Sequence, residues 1–322
     1  MSMVSIIIPN WNGKKFLTKC LESLRLQTYR DLEVILVDNA STDRSIEFVK
    51  ASFPEVKIVQ LEMNRGFSGA ANEGIRAAKG EFIALLNNDA IADPHWIEEL
   101  VKGMSSSMQI GFCAPKILRL SNGANVDTAG DSYTRYGVAI KRGKNGNRNI
   151  YPQRQFVFGA SAAAALYRKS MLDEIGYFDE DLFCIYEDVD LSFRAQLAGF
   201  QCLYVPTAVV YHLVGGTAGT NNEFTLYYGQ RNLESVFFKN MPLELLIQYL
   251  PLHLGYNCLA FIHHIFKKNG KVFLQSKIDA LKQIGSTFQK RKTVQGKKRV
   301  SSLYLRTLFD KRSLLQHRVK AG

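Results

Sequence analysis

Three apolar runs in the first hundred residues end abruptly in polar side chains suited to chemistry. Phe82–Leu86 runs directly into Asn87, Asn88 and Asp89. Val4–Ile8 runs into Pro9, Asn10, Trp11, Asn12 and Gly13, and Glu33–Val37 into Asp38, Asn39, Ala40, Ser41, Thr42 and Asp43. Amides and carboxylates are hard oxygen donors for a divalent cation, and an indole offers a stacking face. Each stretch taken alone is also an ordinary polar turn, since Asn and Asp favour turns. All three fall at strand carboxyl ends, the edge where open α/β sheets form their ligand crevice.

Three further stretches carry reactive side chains. "YEDVDLSFRAQLAGF" (Tyr186 to Phe200) crowds Glu187, Asp188 and Asp190 at the start of a helical pattern. Acids there interact well with the helix macrodipole, and Asp190/Arg194 is an i,i+4 pair, so capping and proton transfer both remain open. In "VVYHLVGGTAGT" His212 follows a strand and precedes a glycine-rich loop, and "LYYGQRNLESVF" sets Arg231 and Asn232 inside a helical pattern. No G-x-G-x-x-G is present, because Gly66, Gly69 and Gly74 have the wrong spacing, and no G-x-x-x-x-G-K-[ST] is present either. Dinucleotide and P-loop readings lose their main support.

The elements that must hold these residues alternate regularly. Strands are expected at Val4–Ile8, Glu33–Val37, Val56–Leu61 and Phe82–Leu86. Between them lie helical patterns at Lys14–Leu26, Asp43–Ala51 (opened by Ser41/Thr42) and Ser68–Ala78, with another begun by Pro94. Short apolar strands alternating with helices indicate βαβ units and a parallel sheet. Ile110–Leu118 reads as a further strand, and residues 119–154 as loops or a small hairpin. Val189–Ala198 reads as a helix, Cys202–Val205 and Ala208–Tyr211 as two short strands, and Phe224–Lys239 as an aromatic-bearing helix. Met241–Phe266 is strongly apolar but broken by Glu244, Gln248, His253, Asn257 and Pro251, which suits one or two amphipathic helices better than a membrane pass.

The net charge of +12 is local. From Lys267 onward there are 16 Lys/Arg against two acids, leaving 25 basic and 27 acidic residues before it. The tail carries about +14 and the remainder is nearly neutral. The tail lacks interleaved aromatics and any nucleic-acid module, which disfavours a nucleic-acid partner. Five widely spaced cysteines without a CxxC pair argue against a disulfide framework or a zinc site, and suit a reducing compartment. No secretory signal is read at the N-terminus.

"SIIIPNWNG", "VILVDNASTDRS", "NRGFSGAANEGI", "LLNNDA", "YEDVDLSFRAQLAGF", "HLVGGT" and "YYGQRN" occur in one order across residues 4–240. Together they resemble the inverting GT-A glycosyltransferases of family 2, especially the bacterial rhamnosyltransferase-like branch. The resemblance implies an α/β fold: a Rossmann-like GT-A domain over residues 1–240, with a mostly parallel central sheet flanked by helices, and a helical C-terminal extension over 241–322. It implies that Asp89 ligates Mn²⁺ or Mg²⁺ with His212, and that Asn87 and Asn88 contact the donor. The family's D-x-D motif is thinned here to Asn87-Asn88-Asp89, with one carboxylate kept. Trp11 and Asp38 correspond to residues that sandwich and hydrogen-bond a pyrimidine base, Pro9 and Asn10 to further donor-binding positions, and Asn64, Arg65 and Gly66 to a loop closing over the nucleotide. Arg231 is expected to neutralise the leaving diphosphate.

Asp188 resembles the catalytic base, with Glu187 orienting the acceptor or the base. The implied donor is a dTDP- or UDP-sugar, dTDP-rhamnose first, with UDP-hexose or UDP-galactofuranose as alternatives. The implied acceptor is a polyprenyl-diphosphate-linked glycan at the cytoplasmic face of a membrane. The amphipathic run and basic tail match interfacial helices on anionic lipid, or else a helical appendage that packs on the catalytic domain or forms a homo-oligomer. A nucleotide-sugar-binding protein without catalysis is the rival that the thinned motif brings in.

Overall fold

The computed structural model describes residues 2–121, 123–213 and 222–312. Part of the "HLVGGT" motif and the last ten residues of the basic tail lie outside the described residues. In chain order the first half comprises β1 (Val4–Asn10), α1 (Lys14–Arg25), β2 (Leu32–Asp38), α2 (Ser45–Ser52), β3 (Lys57–Gln60), α3 (Gly66–Ala77), β4 (Phe82–Leu86), β5 (Ala90–Ala92), α4 (Trp96–Met104) and β6 (Ile110–Arg119). Then come β7 (Val126–Thr128), β8 (Asp131–Thr134), β9 (Ala139–Lys141), β10 (Gln155–Val157), β11 (Ala164–Arg168), α5 (Lys169–Ile175), α6 (Glu187–Leu197) and β12 (Gln201–His212). The chain closes with α7 (Asn222–Asn240), α8 (Leu243–Phe266), α9 (Gly270–Lys282), α10 (Ile284–Gly296), α11 (Ser302–Leu308) and β13 (Phe309–Asp310).

The main sheet follows the order β10-β12-β6-β11-β4-β1-β2-β3, with β5 on β12 and β7 on β6. β1, β2, β3 and β4 are parallel, and β6 and β12 rejoin that direction after antiparallel β11. Only β11 and β10 run against the other six strands of the path. The parallel strands are apolar on both faces: β4 is buried at all five positions, and separate clusters centred on Ile6, Ile8 and Trp96 and on Ile7, Ile35 and Phe112 pack the two sides. Continuous apolar runs rather than alternation follow from that two-sided burial.

Three sequence expectations are altered. The two short strands around Pro206 are one strand, β12, whose register shifts between Val205 and Val209. Proline has no N–H for a ladder, and a bulge absorbs it. α2 starts at Ser45 rather than Asp43, with Arg44 at its N-cap and Asp43, not Ser41 or Thr42, bonding its first N–H. Asp43 accepts from the Ser45 N–H at 3.1 Å and from the Lys14 N–H at 2.8 Å, so one carboxylate serves the starts of two helices. Residues 119–154 contain the small hairpin read as one of their two possibilities, β8 with β9, but β13 extends it to a three-stranded sheet from the far end of the chain.

That return explains how the C-terminal helices sit. Tyr133, Phe158, Val189 and Phe193 share one buried cluster with Phe237, Leu245, Tyr249, Leu305 and Phe309. Polar contacts lock the same junction. Glu234 accepts from Lys277 at 2.5 Å and contacts His253 Nε2 at 2.8 Å. Burial alone would raise the Glu234 pKa, but these two partners bring it down to about 2. α8 is a single helix through Pro251, long and apolar enough by length and composition to cross a membrane (mean hydropathy 1.3). One face is nonetheless packed on the protein through Leu245, Leu246, Tyr249 and His253. The other exposes Leu243, Ile247, Leu254, Ile262, Ile265 and Phe266.

The start of α6 is tied down by buried charges. Asp190 accepts from Lys239 and Arg194, each at 2.8 Å, and from the Asn240 amide at 2.7 Å. Lys239 also pairs with Asp179. Breaking a buried ion pair from one side costs roughly 3–5 kcal/mol. Lys239→Ala is therefore expected to lower unfolding stability by about 3 kcal/mol, read from urea denaturation. A loss below about 1 kcal/mol would mean that Arg194 and Asn240 suffice to neutralise Asp190.

Candidate functional site

Three strand ends are stitched side by side. Asn88 Nδ2 donates to Asn10 Oδ1 at 2.8 Å, and Asn10 Nδ2 donates to Asp38 Oδ1 at 3.1 Å. Asp38 Oδ2 in turn accepts the Ser41 N–H at 3.0 Å. Gly13 is required beneath this ledge, since a Cβ there would stand 2.0 Å from Asn88 Nδ2. Pro9 precedes the ledge within β1, and Trp11 follows Asn10 with 45% of its surface exposed. Asp38 itself is fully buried, with both oxygens engaged inside the ledge.

The Asn64–Gly66 loop is organised by a residue that sequence reasoning passed over. Asn39 accepts the Arg65 N–H at 2.8 Å and donates to Asn64 Oδ1 at 2.8 Å and the Gly66 carbonyl at 3.0 Å. The Arg65 guanidinium bonds Glu73 and Glu180, each at 2.6 Å. Gly66 has φ +69°, and a Cβ would lie 2.3 Å from the Phe183 carbonyl, so this loop packs directly on the segment leading into α6.

That segment is strained. Phe183, Ile185 and Tyr186 all have positive φ, at 64°, 66° and 74°. α7 holds it, and the Arg231-Asn232 pair does so from inside the protein. The Asn232 amide donates to the carbonyls of Leu182, Cys184 and Ile185 at 2.8, 2.9 and 2.7 Å. Arg231 donates to the carbonyls of Asp181 and Leu182 at 2.8 and 3.1 Å and lies 4.7 Å from the Tyr228 ring centroid. The guanidinium is thus buried in the support of this loop.

Asp188 emerges partly open to solvent at the end of this loop. Its Oδ2 accepts the Ala162 N–H at 3.0 Å and its Oδ1 the Val189 N–H at 2.8 Å. Ala163, next to Ala162, accepts the Asn87 N–H at 2.9 Å. One backbone step at the β4/β11 edge therefore separates the Asn87–Asp89 stretch from Asp188. Burial raises the Asp188 pKa, while the two backbone N–H groups and Lys141 act to lower it. Glu187 is buried beside it and pushed well up by burial and by the Asp188 charge. Asp131, buried, is pushed up to about 7 by burial and by Asp188. The Thr128 hydroxyl lies 2.6 Å from the Gly130 carbonyl and 3.1 Å from Asp131 Oδ1. A hydroxyl has one proton to give, so the shorter contact takes it, and the longer one suits a protonated Asp131 that donates.

On the other side of the same edge His212 meets Asp89. The β12–β5 pairing puts His212 opposite Ala90, with its Nε2 3.2 Å from Asp89 Oδ1 and 3.2 Å from Asn87 Nδ2. Burial alone would lower the His212 pKa, but the carboxylates of Asp127 and Asp89 outweigh it and raise it. Asp89 Oδ1 is buried with no hydrogen bond aligned on it. A carboxylate oxygen and an imidazole nitrogen converging in this way fit a divalent cation, with Mn²⁺ the better match to the nitrogen. Among the described residues no set of three or more His, Cys, Asp or Glu groups converges to hold a metal. The remaining ligands would have to come from bound diphosphate and water.

Asp127, Asp131 and Lys141 also escaped sequence reasoning. They lie in residues 119–154, whose Gly, Asn and Ser content masks three short strands. The four-residue spacing of Asp127 and Asp131 was the available signal.

The sequence model described as Glycosyl transferase family 2 matches residues 5–176, just over half of the chain. "Glycosyltransferase GlyG" of Streptococcus pneumoniae serotype 4 is 38% identical over 101 residues, which span 30% of this chain and 34% of GlyG. The "N-acetylglucosaminyl-diphospho-decaprenol L-rhamnosyltransferase" of Mycobacterium tuberculosis is 28% identical over 234 residues, spanning 65% of this chain and 76% of that protein. Among solved structures, S. aureus TarS 1-349 in complex with UDP-GlcNAc aligns with a TM-score of 0.58 at 20% identity, over 96% of this chain and 93% of that one. The mannosyltransferase PcManGT from Pyrobaculum calidifontis, in complex with GDP-Man and Mn²⁺, aligns with a TM-score of 0.56 at 17% identity, over 97% and 88%. These two likenesses establish the fold, which is GT-A. The chain belongs to glycosyl transferase family 2 and is a glycosyltransferase.

Proposed function

We propose that this enzyme transfers a sugar, with inversion at the anomeric carbon, from a pyrimidine nucleoside diphosphate to a hydroxyl of a lipid-linked or growing cell-surface glycan. The observation that carries this reading is the adjacency of two unlike carboxylates at one sheet edge. Asp89 is paired with an imidazole, and Asp188 is oriented by two N–H groups, one from Ala162, whose neighbour Ala163 bonds Asn87 two residues before Asp89. Asp188 takes the proton of the acceptor hydroxyl as its oxygen attacks the anomeric carbon. Glu187, behind it, favours the charged form of only one of the pair. Asp89 and His212 would hold a divalent cation, which supplies positive charge where the leaving diphosphate gathers negative charge. Asn88, fixed by Asn10, faces the donor. Trp11 gives the base its stacking face, while Asp38 orders the ledge beneath. Arg65 and Arg231 act on the loops around the donor, since their guanidinium groups are spent on Glu73, Glu180 and backbone carbonyls.

The relative named as a rhamnosyltransferase makes dTDP-rhamnose the first donor to test, with UDP-sugars next. Its named substrate supports a polyprenyl-diphosphate acceptor. The exposed apolar faces of α8 and of α9 (Leu274, Ile278 and Leu281) support attachment to the cytoplasmic face of a membrane. Lys267, Lys268 and Lys271 lie at the α8–α9 junction, and each adds about 1 kcal/mol on anionic lipid.

Asp188→Asn is expected to lower kcat by about 10²–10⁴-fold while the nucleotide-induced rise in melting temperature survives. Unchanged turnover would remove Asp188 as the base. A thermal-shift panel of dTDP- and UDP-sugars, with Mn²⁺ or with EDTA, should find a donor whose stabilisation needs the cation. At 100 times its Kd such a donor adds about 2.7 kcal/mol. Equal shifts in Mn²⁺ and in EDTA would argue against a cation-dependent donor site.

Asp131 makes stability depend on pH. Its folded pKa of about 7 exceeds the ordinary value of 3.8, so the folded chain keeps a proton that the unfolded chain has lost. The resulting stability is complete below the ordinary value and is lost as pH rises through about 7. Asp131→Asn, which stays neutral, should therefore gain in melting temperature over wild type as pH rises across that window, and level off above it. A flat difference would mean that Asp131 ionises as an ordinary carboxylate.

A further inference from the structure

We infer that Asp127 is a positioning residue for His212, holding the imidazole in the tautomer that offers Nε2 to the cation beside Asp89. The inference rests on the reading of Asp89 and His212 as cation ligands. Asp127 lies in β7, two strands from β12 across β6, and is 1% exposed. The imidazole stands between two carboxylates. Nε2 is 3.2 Å from Asp89 Oδ1, and Nδ1 is 3.6 Å from Asp127 Oδ2. At 3.6 Å no hydrogen bond is made, and both His212 Nδ1 and Asp127 Oδ1 are buried without a hydrogen-bond partner. Buried polar atoms without partners are costly, and here an unpartnered Nδ1 faces a carboxylate that has one oxygen to spare. A ring movement of about 0.6 Å would bring Nδ1–H into hydrogen-bond range of the carboxylate.

Ligation makes that movement favourable. An imidazole nitrogen that binds a cation must be bare, so the single proton of the neutral ring moves to the other nitrogen and needs an acceptor there. Asp127 is that acceptor. Lys141 donates to Asp127 Oδ2 at 2.7 Å, which fixes the carboxylate and offsets its charge so close to Asp89. Direct ligation by Asp127 of an ion held by Asp89 is opposed by the geometry, since the ring separates the two.

The test is Mn²⁺ affinity of the full chain with UDP present, measured by the free-Mn²⁺ electron paramagnetic resonance signal. Wild type is compared with Asp127→Asn, His212→Ala and the double variant. Asp127→Asn should weaken Mn²⁺ binding about 10–100-fold. His212→Ala should weaken it at least as much, and the double variant no further than His212→Ala alone. Melting in EDTA, where no cation contributes, checks the fold, and Asp127→Ser is a second substitution with the same expectation. Wild-type affinity in Asp127→Asn beside a loss in His212→Ala overturns the inference and leaves the cation reading standing, as do losses that simply add. Wild-type affinity in His212→Ala overturns the cation reading and this inference with it.

Discussion

The site depends on a clamp made by a single amide. Asn232 gives its two protons to the carbonyls of Leu182, Cys184 and Ile185, in a segment where three of four consecutive residues are left-handed and none is glycine. Each such residue costs on the order of 1–3 kcal/mol, and strain of that size persists only where the surroundings over-determine it. Here the surroundings are α7 on one side, through Asn232 and Arg231, and the Gly66 loop on the other. The left-handed turn delivers Glu187 and Asp188 to the β4/β11 edge. The Asp190–Lys239–Arg194 group, one turn further on, keeps the helix from sliding away.

The two halves of the site are built differently because they do different work. The donor ledge is made of short side chains joined in series, Asn88 to Asn10 to Asp38 to the Ser41 N–H, with a glycine beneath so that the chains can approach. Such a ledge is held by its own hydrogen bonds on short side chains. The acid-rich half packs Asp89, Asp127, Asp131, Glu187 and Asp188 close together, with Lys141 and His212 as the nearby basic groups. Burial lets one carboxylate raise the pKa of its neighbour, so Asp131 stays near neutrality while Asp188 is held in place by N–H donors. The C-terminal helices are part of the same construction. β13 closes the small sheet that carries Asp131 and Lys141, and Phe309 completes the aromatic cluster around Tyr133, so the extension supports the acidic half from behind.

How much of this could be read beforehand divides along physical lines. Strands β1, β2 and β4 were evident as apolar runs because both of their faces are buried, and the polar groups after them were evident because a parallel sheet gathers its strand ends at one edge. Glu187 and Asp188 stood out as acids at a helix start, and Asp190 as the partner of Arg194. Asp127 and Lys141 did not stand out, because their meaning comes from contacts with each other and with His212 on distant β12, and strands of three residues are too short to show a periodicity. Arg231 was expected to meet the leaving diphosphate, since a helical pattern does not reveal that its guanidinium bonds the carbonyls of Asp181 and Leu182.

The sequence alone determined the alternation of elements, the family and the kinds of side chain available, since these follow from local periodicity and from motif order. The tertiary structure alone decided which acids raise one another's pKa, which arginines are already bonded within the protein, and which carboxylate stands behind His212. Those outcomes depend on distances of a few ångströms between residues up to 125 positions apart, and on burial that changes the energy of a charge. Neither quantity is carried by any stretch of chain taken by itself.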